Sequence, residues 1–160
     1  MQSIKIICVG KLKEAFYEQA VKEYTKRLAS LCKLEIEELP EVKLSQEPSQ
    51  AEIDAALLKE GEAVKSRIPK GSAVIAMCIE GKGMSSEGFA DVLENFALSG
   101  SSKICFIIGG SFGLSKDVKS MAQVKLSMSA MTFPHHLARV MLLEQIYRGY
   151  KILGGGKYHK

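Results

Sequence analysis

The sequence predicts an α/β protein with a mostly parallel sheet flanked by helices. Three observations support this class. Short apolar runs alternate with longer segments of helical periodicity, the run at residues 104–108 is apolar on both faces, and glycines follow several of the runs. The chain of 160 residues has no internal repeat and no low-complexity stretch, so we expect one domain over residues 1–160.

The first half of the chain predicts two strands and two helices. Residues 4–9 form an apolar strand that ends at Gly10, and residues 34–39 alternate as a half-exposed strand does before Pro40. The apolar residues between these strands recur at helical spacing, namely Leu12, Phe16, Ala20, Tyr24, Leu28 and Leu31. The polar residues 41–48 predict a mobile loop. Ser49 and Glu52 then match a capping box and begin a helix that ends before Pro69.

The second half predicts two strands buried on both faces and two helices. Residues 72–78 form the first strand, residues 80–83 turn at its end, and Ser85 or Ser86 caps a helix that Gly100 stops. The strand at residues 104–108 is followed by two glycines. A short polar passage and a loop of small residues then lead to Pro134, which begins a helix that extends to about residue 153.

The last predicted helix is apolar over well more than one face. A helix of this kind is buried on more than one side, and a second subunit would supply the extra cover. We therefore expect a homodimer built on this helix. The alternative is a long loop that folds over it.

Composition restricts the function classes. No apolar run approaches the length of a membrane span and the N-terminus lacks a signal peptide, so we expect a cytoplasmic protein. The four cysteines form no C-x-x-C pair and are expected to be small buried hydrophobes. The net charge is +4, with basic residues gathered toward the C-terminus, which fits either a phosphate-binding end or a solvated helix face.

Motif searches leave one candidate site. There is no P-loop, no H-E-x-x-H and no G-x-S-x-G. His135 and His136 point about 100° apart on a helix and have no carboxylate cluster beside them, so we expect no metal site. The glycines at 109 and 110 expose backbone groups at a strand end, where open α/β sheets bind ligands. The loop at residues 128–133 offers thioether, aromatic and hydroxyl groups that suit an adenosine, or else serves as core filler.

The order of these motifs resembles one family over the whole chain. Ile-Gly-Gly-x-x-Gly-Leu is followed by Ser-Met-Ser-Ala-Met-Thr-Phe-Pro-His, then by Arg139-Val140-x-x-x-Glu144-Gln145-x-Tyr147-Arg148, and finally by Tyr158 and His159. This set resembles the large-subunit ribosomal RNA methyltransferase H family, small SPOUT-class enzymes that methylate N3 of a pseudouridine in 23S rRNA.

The resemblance implies a SPOUT-type α/β trefoil knot near the C-terminus, a homodimer through the last helix, and S-adenosylmethionine bound in a bent pose without a metal. The positions that match the family's cofactor site are Met77, Gly109, Met128, Ser129, Ala130, Met131, Thr132 and Phe133. The imide N3 carries a proton, so a base or hydrogen-bond acceptor should assist the transfer. The candidates are His159, Tyr158 and His135.

Substrate contacts are expected at the basic end of the chain. Arg139, Arg148, Lys157 and Lys160 are candidates to hold RNA phosphate. The three glycines at 154–156 suggest a hinge that closes the tail on RNA, and the alternative is a frayed terminus. A 17.5 kDa chain offers a small footprint, so we expect a structured particle to present the substrate. The resemblance implies that this substrate is 23S rRNA within the ribosome or large subunit, with the assembled ribosome favoured. A non-catalytic ribosome-binding or assembly factor, and an α/β nucleotide-binding enzyme of other chemistry, are the alternative functions.

Overall fold

Five strands alternate with five helices in the computed structural model, which describes residues 1–160. The strands are β1 (Ser3–Val9), β2 (Lys33–Leu39), β3 (Ala73–Lys82), β4 (Lys103–Ile108) and β5 (Val124–Leu126). The helices are α1 (Ala15–Leu28), α2 (Gln50–Arg67), α3 (Ser86–Leu98), α4 (Lys116–Met121) and α5 (His135–Leu153).

The strands form one parallel sheet in the order β2-β1-β4-β3-β5. The predicted α/β class with a mostly parallel sheet is confirmed. Because all strands run the same way, the loops after β1, β3, β4 and β5 meet at one edge of the sheet. The strand order reverses between β1 and β4, and ligands of open α/β sheets bind at such a point.

Helices cover both faces of the sheet. Helices α1, α3 and α5 pack on one face, where Leu28, Leu93 and Leu142 join Ile6 and Phe106 in a buried core. Helices α2 and α4 pack on the other face through a second core. Since β4 is buried on both sides, its five apolar residues from 104 to 108 alternate between the two cores, as the continuous apolar run predicts.

Local capping confirms several predicted boundaries. The hydroxyl of Ser49 accepts a hydrogen bond from Glu52 N at 3.1 Å, and Ser49 N donates to Glu52 Oε1 at 3.3 Å, which completes the capping box of α2. Of the two serines proposed for α3, Ser85 is the cap, because its hydroxyl accepts from Gly88 N at 3.0 Å. Helix α5 begins at His135, one residue after Pro134.

Two local predictions are wrong. Residues 80–83 do not simply turn at a strand end, because β3 continues through an irregularity to Lys82, which pairs with Leu126. The short polar passage between the two loops contains α4 and β5. Phe16, assigned to the buried side of α1, is 63% exposed, and its ring lies tilted against that of Tyr17 with centroids 4.5 Å apart.

Helix α5 has neighbours on two sides within the subunit, because it packs against both α1 and α3 as well as the sheet. Its broad apolar surface is therefore explained largely without a second chain, and the homodimer remains a prediction of the family resemblance. The knotted threading also stays a prediction. None of the helices is sufficiently long and apolar to span a membrane.

Candidate active site

A cavity of about 680 Å³ opens at the carboxyl edge of the sheet. Its size lies within the range of pockets that hold small molecules. Residues 77–80 of β3, the loops after β4 and β5, and the first turn of α5 form its walls. Of the eight predicted cofactor positions, seven line it, namely Met77, Gly109, Met128, Ser129, Met131, Thr132 and Phe133. Ala130 is exposed and lies outside the lining.

The loop after β4 requires glycine for steric reasons. Gly113 N donates to Gly110 O at 3.1 Å, which closes a tight turn. A Cβ at Gly109 would collide with the carbonyl group of Gly113, and a Cβ at Gly110 would lie 2.6 Å from Glu41 Oε1. Gly113 has a φ of +80°, a conformation that glycine adopts without strain. Close packing within the protein therefore fixes the shape of this loop, whose residues 109–114 line the cavity.

The loop after β5 is organised by two serines. Ser127 Oγ donates to Ser129 O at 3.0 Å, and Ser129 Oγ accepts from Met131 N at 3.0 Å. Met131 is 74% exposed although it lines the cavity. A flexible thioether at this position can cover a flat ring that enters the cavity. The loop thus provides apolar surface and hydroxyls together, as the sequence predicts.

Two charged residues of the cavity wall were not predicted from the sequence to belong to the site. Lys119 on α4 forms an ion pair with Glu80 on β3, and both line the cavity. The ion pair and neighbouring hydrogen bonding hold the pKa of Glu80 below its usual range. No short motif links residues that lie on separate elements in this way, so no sequence signal identifies them.

The structure distinguishes the two adjacent histidines. His135 lines the cavity, and burial lowers the pKa of its imidazole below the usual value. His136 lies outside the lining, packs edge-on against Tyr17 with centroids 6.1 Å apart, and has Nδ1 3.4 Å from Glu14 Oε2. At neutral pH, the His135 imidazole that lines the cavity is therefore in its neutral form.

Arg139, a candidate to hold RNA phosphate, is engaged within the chain. Its side chain is 2% exposed. Nη1 donates to Glu38 Oε2 at 2.6 Å, and Nη2 donates to Gly10 O at 3.2 Å. Burial opposes the charge of Glu38, but the bonds from Arg139 and from Leu12 N keep the pKa of Glu38 below its usual value. Arg139 thus fastens α5 to the ends of β1 and β2.

The C-terminal tail is docked and not frayed. Gly155 has a φ of +71°, so the chain turns back along α5. Tyr158 OH donates to Glu144 Oε2 at 3.0 Å, and the guanidinium of Arg148 lies 4.7 Å from the centroid of the Tyr158 ring. His159 Nε2 lies 2.7 Å from Glu87 Oε1 on α3. Arg148 also pairs with Glu144 at 2.7 Å, so it is already engaged within the chain.

The three candidate bases do not share one cavity within the subunit. Tyr158 contacts Glu144, which lines a smaller cavity of about 240 Å³, whereas His135 lines the larger one. Leu126 and Met128 line both cavities and separate them. Along α5, His135 and Glu144 are nine residues apart, a rise of about 14 Å. Lys157 and Lys160 are exposed at the tail.

The four cysteine thiols stay protonated at neutral pH. Cys8, Cys32 and Cys105 are buried, and burial raises the pKa of Cys8 and of Cys105 to about 12. Cys78 is half-buried in the cavity wall, and burial raises its pKa as well. No group of three or more His, Cys, Asp or Glu side chains is arranged to hold a metal ion.

The fold and the cavity define an open α/β protein with a site for a nucleotide-sized ligand at the carboxyl edge of a parallel sheet. A family model described as "Predicted SPOUT methyltransferase" matches residues 1–159. The chain belongs to the SPOUT methyltransferase family.

Similar proteins extend over the full chain. Ribosomal RNA large subunit methyltransferase H of Clostridium botulinum strain Okra is 50% identical over 158 residues, covering 99% of both chains. The protein of the same name from Clostridium beijerinckii is 48% identical over 158 residues, again covering 99% of both. A probable methylase family protein from Haemophilus influenzae Rd KW20 has a TM-score of 0.56 at 12% identity, covering 99% of this chain and 71% of that one. This last likeness concerns the fold alone.

Proposed function

We propose that this protein transfers the methyl group of S-adenosylmethionine to N3 of a pseudouridine in 23S rRNA. The observation that carries the proposal is the coincidence of two findings. The chain is 50% identical over its full length to a named ribosomal RNA large subunit methyltransferase H. Seven of the eight positions expected to hold the cofactor line one cavity of suitable size.

The residues present suit this cofactor. The glycine loop lines the cavity and is held in one shape by close packing, because a Cβ at Gly109 or Gly110 would collide with neighbouring atoms. Apolar side chains from Met77, Met128 and Phe133 provide surface for an adenine ring, and the hydroxyl of Thr132 is available for polar groups. When bound, S-adenosylmethionine supplies a methyl group on a positively charged sulfonium.

The chain's own contribution to the reaction is alignment and proton removal. Methyl transfer forms the N3–C bond as the S–C bond breaks, and the N3 proton must leave. Among the three candidate bases, His135 is the best suited, because it lines the cavity and its lowered pKa keeps it neutral. Burial and Glu144 raise the pKa of Tyr158, so its phenol stays protonated and donates to that carboxylate.

The proposed substrate is the assembled ribosome or large subunit in the cytoplasm, with the enzyme acting as a homodimer. The exposed Lys157 and Lys160 remain candidates for phosphate contacts, because neither is engaged in an ion pair. Methyl transfer should be compared on ribosomes, large subunits and naked 23S rRNA. Equal rates on naked rRNA would contradict the ribosomal substrate, and a monomer at micromolar concentration in sedimentation would contradict the dimer.

Cofactor binding separates this function from its alternatives. Titration calorimetry with S-adenosylmethionine, NAD and ATP should show binding of the first alone. At 100 times the dissociation constant, the ligand should stabilise the fold by about 2.7 kcal/mol. A preference for NAD or ATP would favour other nucleotide chemistry. Absence of binding both to the free protein and to its ribosome complex would favour a non-catalytic assembly factor.

A further inference from the structure

The segment after β2 reaches the glycine loop from outside the cavity. Glu41 follows β2 by two residues, and its Oε1 accepts a hydrogen bond from Ser111 N at 2.7 Å across 70 positions of sequence. Ser111 lines the 680 Å³ cavity, whereas Glu41 lies outside the lining. Any influence of Glu41 on a ligand must therefore act through the residues that it holds.

The two carboxylate oxygens of Glu41 lie beside the backbone of Gly110 and of Gly10. A Cβ at Gly110 would lie 2.6 Å from Glu41 Oε1, so this oxygen packs directly on the loop. A Cβ at Gly10 would lie 3.6 Å from Glu41 Oε2 and 3.4 Å from His135 Nε2. The second oxygen and the imidazole therefore flank the same point at the end of β1.

A second carboxylate fixes the backbone beside Glu41. Val42 N donates to Glu60 Oε2 at 2.8 Å, and Glu60 on α2 is only 9% exposed. A buried carboxylate that lost this donor would leave its charge less compensated, so the contact resists opening. The start of the segment predicted to be a mobile loop is thus anchored on both sides.

The charges around His135 give Glu41 a further effect. After burial, the groups that lower the pKa of His135 are His136 beside it, Arg139 one turn further along α5, and Lys13 on the β1–α1 connection. Glu41 acts in the opposite direction. Removal of its charge should therefore lower the pKa of His135 further.

We propose that Glu41 is a positioning residue of the methyl-transfer site, which holds the glycine loop in its ligand-binding form through Ser111 and places a negative charge toward His135. The proposal rests on the proposed function, because that function assigns the cavity to S-adenosylmethionine. Glu41 contacts no reacting atom. It acts through the Ser111 amide and through the His135 imidazole.

Full-length Glu41→Ala and Glu41→Gln variants test the two parts separately. Glu47→Ala is the matched control, because Glu47 is exposed in the same segment and makes no hydrogen bond or ion pair. Calorimetry with S-adenosylmethionine should show dissociation constants about tenfold higher for Glu41→Ala, since a hydrogen bond to a charged group is lost. Glu41→Gln should remain within about twofold of wild type, because its carboxamide oxygen can still accept from Ser111 N.

The titration of His135 by NMR in the free protein is the second measurement. Both variants should lower its midpoint, and Glu47→Ala should leave it unchanged. Unchanged affinity of a folded Glu41→Ala would overturn the loop part of the proposal, as would an equal loss in Glu41→Gln. An unchanged His135 midpoint in Glu41→Gln would overturn the charge part of the proposal. If Glu41→Ala does not fold, Glu41→Gln is the variant that is measured.

These outcomes are distinguishable from failure of the proposed function. If wild-type protein binds no S-adenosylmethionine, the function fails and the loop part of the proposal fails with it. The His135 titration needs no ligand, so it still decides whether Glu41 supplies charge to that imidazole.

Discussion

The buried Arg139 and the partly exposed Glu38 form an ion pair across 101 residues of sequence, with Nη1 2.6 Å from Oε2. The pair joins the first turns of α5 to the end of β2, and Nη2 of the same guanidinium reaches Gly10 O at the end of β1. These contacts set the position of the helix whose first residue, His135, lines the cavity. The pair therefore couples the fold of the sheet edge to the geometry of the site.

Glu38→Ala should lower the free energy of unfolding by about 3 kcal/mol, because it leaves a buried guanidinium without its partner. Chemical denaturation measures this value. Glu23→Ala is the control, since its pair with Arg27 on α1 has both side chains well exposed, at 52% and 39%, and should contribute less than about 0.5 kcal/mol. Equal losses of unfolding free energy in the two variants would show that the Arg139–Glu38 pair stabilises the fold no more than an exposed surface pair does.

The contacts of Arg139 show which structural features the sequence can predict and which it cannot. Its position near a basic C-terminus suggests phosphate, but its partner Glu38 lies on a strand that no local pattern connects to α5. The continuous apolar run of β4 predicts a buried strand because five consecutive residues carry the signal. Strand β5 has only three residues and no measurable period, so its pairing with β3 decides its structure.

The residues of the candidate site also divide into those that the sequence predicts and those that it does not. The glycines after β4 and the loop at residues 128–133 were predictable, because each is a contiguous motif and the family resemblance joins them. Glu80, Lys119 and Glu41 could not be predicted, because the fold brings them together from separate elements. Glu80 and Lys119 line the cavity, and Glu41 contacts the glycine loop from outside it. Phe16 was misassigned because helical spacing alone cannot show how far α1 extends beyond the core.

Gly109→Ala should raise the dissociation constant for S-adenosylmethionine at least about tenfold, equivalent to about 1.4 kcal/mol. The added Cβ would collide with the carbonyl group of Gly113, and two backbone segments cannot separate without opening the loop. Calorimetry provides the measurement. Gly83→Ala is the matched control, because a Cβ there meets no atom within 4 Å. Wild-type affinity in Gly109→Ala would remove the glycine loop from the cofactor site.

Deletion of residues 157–160 should reduce methyl transfer more than about tenfold while S-adenosylmethionine binding persists. The tail contacts Glu144 and Glu87 but does not line the larger cavity. Single-turnover transfer and calorimetry on the same preparation give the two values. Tyr158→Phe removes only the hydroxyl bond to Glu144 and serves as the milder comparison. Full activity of a folded deletion variant would exclude the tail from the mechanism.

The rate of methyl transfer should fall on the acidic side with a midpoint below 6.5, the usual pKa of histidine. Burial favours neutral His135, so a lower pH is needed to protonate it and remove its proton-accepting form. A single-turnover pH profile measures the midpoint. His135→Gln should be slower and should lose this limb, whereas His136→Gln should retain it. An unaltered limb in His135→Gln would assign the base to another group.

The most direct test of the central claim is mass spectrometry of nucleosides from ribosomes that lack the modification, after incubation with this protein and S-adenosylmethionine. We predict a single new product, pseudouridine methylated at N3 in 23S rRNA, that is reduced with Gly109→Ala and retained with Gly83→Ala. Absence of any methylated nucleoside on ribosomes, large subunits and naked rRNA, from protein that binds the cofactor, would contradict the proposed function.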